Sequence, residues 1–173
     1  YRGGHFAIIV TGCELGTIDN VLIDTNRDGI DIDCCKYLTV SNTKVNTPSD
    51  DAIVLKSSYA LKKPVMCEHI AINNCVVTGY KLGSLLDGSY IPEKVNWVCG
   101  RFKLGTESNG GYRNIAVTNS TFMYSSGLAF EEVDQGKMEH IVVSNITMNH
   151  VHHYPIYITT GCRNRGPKER TAE

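Results

Sequence analysis

The chain has 173 residues, 42% of them hydrophobic, with 17 basic and 18 acidic side chains and a formal net charge of −1. That balance excludes the dense basic surface that nucleic-acid binding needs, and no apolar run approaches the roughly 20 residues that span a bilayer. Sixteen glycines, many β-branched residues and no strong amphipathic helix pattern indicate a soluble β-rich chain.

In chain order, five segments share one plan: a short strand ending in Asn or Thr, a second apolar piece, then a turn into a further strand. The first is Asn20–Thr25 followed by Gly29–Asp33. The second is Tyr37–Asn42 followed by Asp51–Leu55, and the third is His69–Asn74 followed by Gly83–Leu86. Asn114–Asn119 with Gly127–Glu131, and His140–Asn145 with Pro155–Thr159, complete the set. The phase is constant (aliphatic, any, aliphatic, polar, Asn) while the loops vary, and Leu86–Gly111 is the longest excursion. Irregular loops exclude strict hexapeptide repeats. The pattern predicts a right-handed parallel β-helix with three strands per coil and about five coils, forming one domain over 1–173 that is an interior piece of a longer solenoid.

Recurrent Asn42, Asn74, Asn119 and Asn145 predict a hydrogen-bonded column. Asn119 and Asn145 also match the glycosylation pattern, but a place in the column predicts burial instead. Cysteines 13, 34, 35, 67, 75, 99 and 162 show no Cys-x-x-Cys spacing, which argues against zinc. They read either as small core residues or as a disulfide framework.

One phrase occurs twice. Asp28-Gly29-Ile30-Asp31-Ile32 and Asp51-Ala52-Ile53-Val54-Leu55 both run acid, small, aliphatic, variable, aliphatic, 23 residues apart (51 − 28). If the two are one coil apart, they stack at about 4.8 Å. Asp28, Asp50 and Asp51 then crowd onto one patch, which folding alone does not favour. Arg101 and Lys103 flank Phe102 and so share one strand face, where two cations suit a carboxylate. Lys56 and Glu131-Glu132 are further candidates for the same face. His69 and His140 occupy matching repeat positions and read as structural. His152-His153-Tyr154 lies in a loop that can reach a cleft, and Arg163 and Arg165 read equally as ordinary loop or substrate loop.

At these residues the chain resembles glycoside hydrolase family 28, the polygalacturonase-like pectin hydrolases. Asn26-Arg27-Asp28-Gly29-Ile30-Asp31 is similar to that family's Asn-Thr-Asp-Gly-x-Asp signature, Asp50-Asp51 to its Asp-Asp motif, and Arg101-Phe102-Lys103 to its Arg-Ile-Lys motif. The stretches NRDGIDIDCC, KLGTESNGG and EEVD resemble a bacterial branch with rhamnogalacturonan-type exo-enzymes. The resemblance implies inverting hydrolysis of a pectic polymer or oligomer. Asp50 is then the general acid, Asp28 and Asp51 hold and deprotonate water, and Arg101, Lys103, Lys56, Tyr80 and Glu131 bind substrate. Acid and base are expected about 6.5–9.5 Å apart. The family's Gly-His-Gly is missing from the stretch after Asp-Asp, with no His between Cys75 and Ser89, and Tyr80 or Lys81 is the candidate replacement. The resemblance further implies no cofactor or metal, a monomer, and a secreted or periplasmic location. The competing readings are a non-catalytic β-helix that binds carbohydrate, and a calcium-dependent eliminase on the same fold.

Overall fold

A computed structural model describes residues 2, 3 and 5–163, and among them every regular element is a strand. The chain winds through three parallel sheets in strict rotation. Sheet 1 holds Ile8–Thr11, Ile30–Asp33, Ile53–Ser57, Arg101–Ser108, Gly127–Glu132 and Ile156–Thr160. Sheet 2 holds Glu14–Asp19, Lys36–Ser41, Cys67–Asn73, Tyr112–Thr118 and Met138–Ser144. Sheet 3 holds Arg2–Gly3, Leu22–Thr25, Lys44–Asn46, Val76–Thr78, Thr121–Met123 and Thr147–Asn149. This is the right-handed parallel β-helix that the repeat pattern predicts, with the hand that parallel crossovers favour.

Alternation along each strand puts one residue in two inside, and register then stacks like on like. Ile8, Ile30, Ile53, Phe102, Leu128 and Ile156 form one inner column of sheet 1. Sheet 2 contributes Leu38, Ile70, Ile115 and Ile141, and sheet 3 contributes Ile23, Val45, Val77, Phe122 and Met148. The middle coils bury these side chains completely. Ile156 and Ile158, on the last strand of sheet 1, stay exposed. Gly29 is confined by this stacking. A Cβ there would lie 2.3 Å from Val45 Cγ1 and 2.5 Å from the Ala52 carbonyl oxygen. Gly29→Ala is therefore expected to lower unfolding free energy by about 1–3 kcal/mol, read by urea denaturation. An unchanged midpoint would show that the turn relaxes freely.

Register is also written on the outside of sheet 2. Glu14, Lys36, Glu68, Arg113 and Glu139 are successive partners and alternate in sign. Lys36 Nζ lies 2.9 Å and Arg113 Nη2 2.7 Å from the Glu68 carboxylate. A slip of one coil would place like charges opposite each other, so the ladder disfavours mispairing. His69 and His140 lie on this outer face, each hydrogen-bonded to Asn114, as the structural reading expects.

Three expectations are corrected. The asparagine column exists, with Asn42 Nδ2 bonded to Asp19, Asn74 to Asn42, Asn119 to Asn73 and Asn145 to Asn119 at 2.6–2.8 Å. It is exposed rather than buried. Asn20, Asn42, Asn74, Asn119 and Asn145 all have φ of 52–54°, so Asn recurs because each coil turns there through the left-handed region that Asn tolerates. Asn20–Thr25 is not equivalent to Tyr37–Asn42. The matching strand is Glu14–Asp19, and Leu22–Thr25 belongs to sheet 3. Gly83–Leu86 is a turn within an insertion, and the third coil reaches sheet 1 only at Arg101–Ser108, paired with Ile53–Ser57. Cys34, Cys35, Cys67, Cys75 and Cys99 are buried thiols, and no disulfide joins the described cysteines, so the core-residue reading holds over a disulfide framework. Among the described residues no helix is long and apolar enough to cross a membrane.

Candidate functional site

The site forms on the outer face of sheet 1 and the turns that lead into it. Gly29 N donates to the Asp51 carbonyl at 2.9 Å, and Ala52 N to the Arg101 carbonyl at 2.8 Å. Asp28 and Asp51 are thereby held in equivalent positions of adjacent coils, with Asp50 beside them. Within the strands Ile30, Ile32, Ile53, Leu55, Phe102 and Leu104 turn inward. Asp31, Lys56, Arg101, Lys103 and Glu131 therefore turn outward onto one patch.

Charges interlock across the patch. Lys56 Nζ lies 2.9 Å from Asp28 Oδ2 and 2.5 Å from Asp31 Oδ2. Arg101 Nε lies 2.5 Å from Asp51 Oδ1, with its Nη2 3.4 Å from Glu131. Lys103 Nζ spans the same two acids at 3.5 and 3.6 Å. Arg27 Nε reaches Asp50 Oδ2 at 2.7 Å. Phe6 lies under both Arg27 and Lys56, whose charged groups are 5.1 and 5.8 Å from its ring centre.

Burial raises Asp50 above the usual carboxylate value, and the neighbouring Asp28 carboxylate raises it further, outweighing Arg27. Burial likewise raises Asp28 and Asp31, against the pull of Lys56. Asp28 and Asp50 are thus two neighbouring carboxyls, each raised first by burial, and the Asp28 charge adds to the rise of Asp50. Burial disfavours the Lys56 charge, but Asp31 and Asp28 outweigh that effect and hold its ammonium above the ordinary lysine value.

Asp50, Asp51 and the Cys99 thiol offer atoms within 4.8 Å of one another. Burial, then the Asp51 charge, raises the Cys99 thiol, so it stays protonated and donates to Asp51 Oδ1 at 3.4 Å. This trio is not a ready cation site, since Arg27, Arg101 and Lys103 already neutralise its carboxylates.

Beside the acids opens a cleft of about 320 Å³. Arg101 and Glu131 form one end, and Trp97, His153, Tyr154 and Tyr157 form an aromatic wall. Trp97 stacks on His153 with ring centres 4.0 Å apart.

Seven of the eight residues singled out by sequence, Asp28, Asp50, Asp51, Lys56, Arg101, Lys103 and Glu131, meet here. Tyr80 does not. It is buried against Tyr90 and Tyr124, and its backbone N–H donates to Asn46 Oδ1 at 2.7 Å within a buried Asp24–Asn46–Thr78 column. Lys81 follows it into the insertion. The coil that passes the site after Asp50-Asp51 runs through Cys99-Gly100-Arg101, where Gly100 N donates to the Asp50 carbonyl at 2.8 Å. The stretch searched for a histidine, 75–89, lies mostly in the insertion, and Arg101 is the side chain that touches Asp51. Arg163 bonds Asp134 and Glu107 away from the patch, and Arg165 lies outside the described residues. Asp31, Phe6, Cys99 and Tyr157 were not singled out. For Asp31 the signal was present, since strand alternation in Ile30-Asp31-Ile32 puts it on the outer face beside Lys56.

No protein-family model, no curated protein and no solved structure matches the chain.

Proposed function

We propose that the chain hydrolyses glycosidic bonds in a pectic polysaccharide or oligosaccharide, galacturonan or rhamnogalacturonan, with inversion at the anomeric carbon. The carrying observation is the convergence of Asp28, Asp50 and Asp51 from adjacent coils, with Asp50 raised by burial and by the Asp28 charge and Asp51 paired with Arg101 and Lys103. Asp50 donates its proton to the leaving oxygen as the C1–O bond breaks. A water held by Asp28 and Asp51 attacks C1 and gives up a proton to one of them. Arg101 and Lys103 offer remaining hydrogen-bond donors to a uronate, and Lys56 keeps Asp28 oriented. Metal and cofactor have no step in this scheme, the protein acts as a monomer, and a polymeric plant-wall substrate puts it outside the cytoplasm, secreted or periplasmic.

Proton NMR of the first-formed product tests the proposal, with oligogalacturonate and rhamnogalacturonan oligosaccharides as substrates. A new reducing end of inverted configuration is expected. A retained configuration would convert the mechanism to double displacement. An unsaturated product would replace hydrolysis by elimination, and binding without turnover would leave a carbohydrate-binding module.

A further inference from the structure

We infer that the aromatic wall of the cleft is a stacking subsite for an uncharged pyranose ring, set two to three coils beyond the acids. The inference rests on the hydrolase reading only for what happens to the rest of the oligosaccharide. Register carries Arg101 to Gly127 and Leu128 to Ile156, so Asp51, Gly100, Ser126 and Tyr154 occupy one line along the solenoid axis. At about 4.8 Å per coil, Tyr154 stands roughly 14 Å from Asp51. One coil matches the advance of an oligosaccharide by one pyranose, so the wall meets a ring two or three residues from the bond at the acids.

The wall is built for contact. Trp97 is 55% and Tyr154 63% exposed, although both are large apolar surfaces and they lie in one cleft. Such clustering of exposed aromatics marks a binding surface. His153 covers part of the indole and steadies it while leaving the rest open. Tyr157 packs 6.0 Å from Tyr154 and completes the wall.

The electrostatics choose the ligand. Aromatic faces carry partial negative charge and attract the weakly positive C–H face of a pyranose. A uronate carboxylate in the same place would meet those faces and the Glu131 carboxylate. The nearest cations, Arg101 and Lys103, are drawn toward Asp51 and Glu131 at the end of the cleft beside the acids. An uncharged ring has none of these penalties. Uronate recognition therefore belongs at Arg101 and Lys103, and neutral-ring recognition belongs at the wall.

Trp97 is the only tryptophan in the chain, so its emission reports this subsite directly. The probes are a rhamnogalacturonan tetrasaccharide, in which uronate and uncharged rings alternate, and tetragalacturonate of equal length. Reducing ends are followed in parallel. The alternating probe is expected to shift Trp97 emission saturably and to bind more tightly than tetragalacturonate. Tyr154→Ala is expected to weaken its binding roughly tenfold, and Tyr154→Phe to keep it, the mark of a ring contact and not of misfolding. Equal or tighter binding of tetragalacturonate, or full affinity in Tyr154→Ala, overturns the subsite. Emission shifts without new reducing ends leave the subsite standing and remove the hydrolase. Cleavage with a KM and an emission spectrum indifferent to Tyr154→Ala does the reverse.

Discussion

Asp50→Asn is expected to lower kcat by about 10²–10⁴-fold, the contribution of a positioned general acid, while leaving the melting transition close to that of the unmodified protein. Amide replaces carboxylic acid with little change in shape, and Asp50 is still partly open to solvent. The decisive signature is in the pH profile. Activity requires Asp50 protonated, and burial with the Asp28 carboxylate holds it above the ordinary carboxylate value of 3.8. In the unmodified protein kcat/KM should therefore fall as pH rises through that elevated value. The residual activity of Asp50→Asn should lack this descending limb. A mutant with undiminished kcat, or one that keeps the limb, would remove Asp50 from the acid role and shift attention to Asp28.

Lys56→Met is expected to reduce stability by about 3 kcal/mol at neutral pH, near the lower end for breaking a buried ion pair, because Lys56 keeps slight contact with solvent. Its ammonium is the direct partner of both Asp28 and Asp31, and Asp31 Oδ1 is buried with no hydrogen bond. Both carboxyls already have folded-state values above 3.8 because burial outweighs Lys56. Above pH 3.8 the folded state accordingly holds more protons than the unfolded chain, and stability declines as pH rises through the elevated values. Without Lys56 those values climb further and the decline steepens. Denaturant midpoints of both proteins should converge as pH falls below 3.8, where the acids take up protons in the folded and the unfolded chain alike, and separate toward pH 7. A gap that is constant with pH would mean that lost packing of the lysine stem, and not its charge, accounts for the effect.

The two halves of the acid cluster illustrate what a linear reading can reach. Asp28 and Asp51 were legible as equivalents because their flanking residues repeat, and a repeated inner column demands a repeated phrase. The link to Arg101 was legible only as an alternation on one strand. Its place in the very next coil was hidden, since the chain travels from Ile53 to Phe102 to make one turn. Nearly half of that distance is an insertion that buries Tyr80 and presents Trp97. The residues that follow Asp50-Asp51 most closely in sequence are therefore not the ones that stack on it, which are Gly100 and Arg101.

The sequence by itself determined the winding of the chain. Inward columns of Ile, Val, Leu and Phe, a left-handed turn met by Asn, and an alternating charge ladder each depend on local pattern and nearest-coil pairing. Such interactions are periodic, so a period in the residues suffices to specify them. Only the tertiary structure decided which charges meet, which acids are raised by burial, and that Trp97, His153, Tyr154 and Tyr157 line one cleft. Those outcomes depend on burial and on distances between coils joined by loops of unequal length. Loop length changes sequence separation without changing spatial separation, so no spacing rule along the chain can recover them.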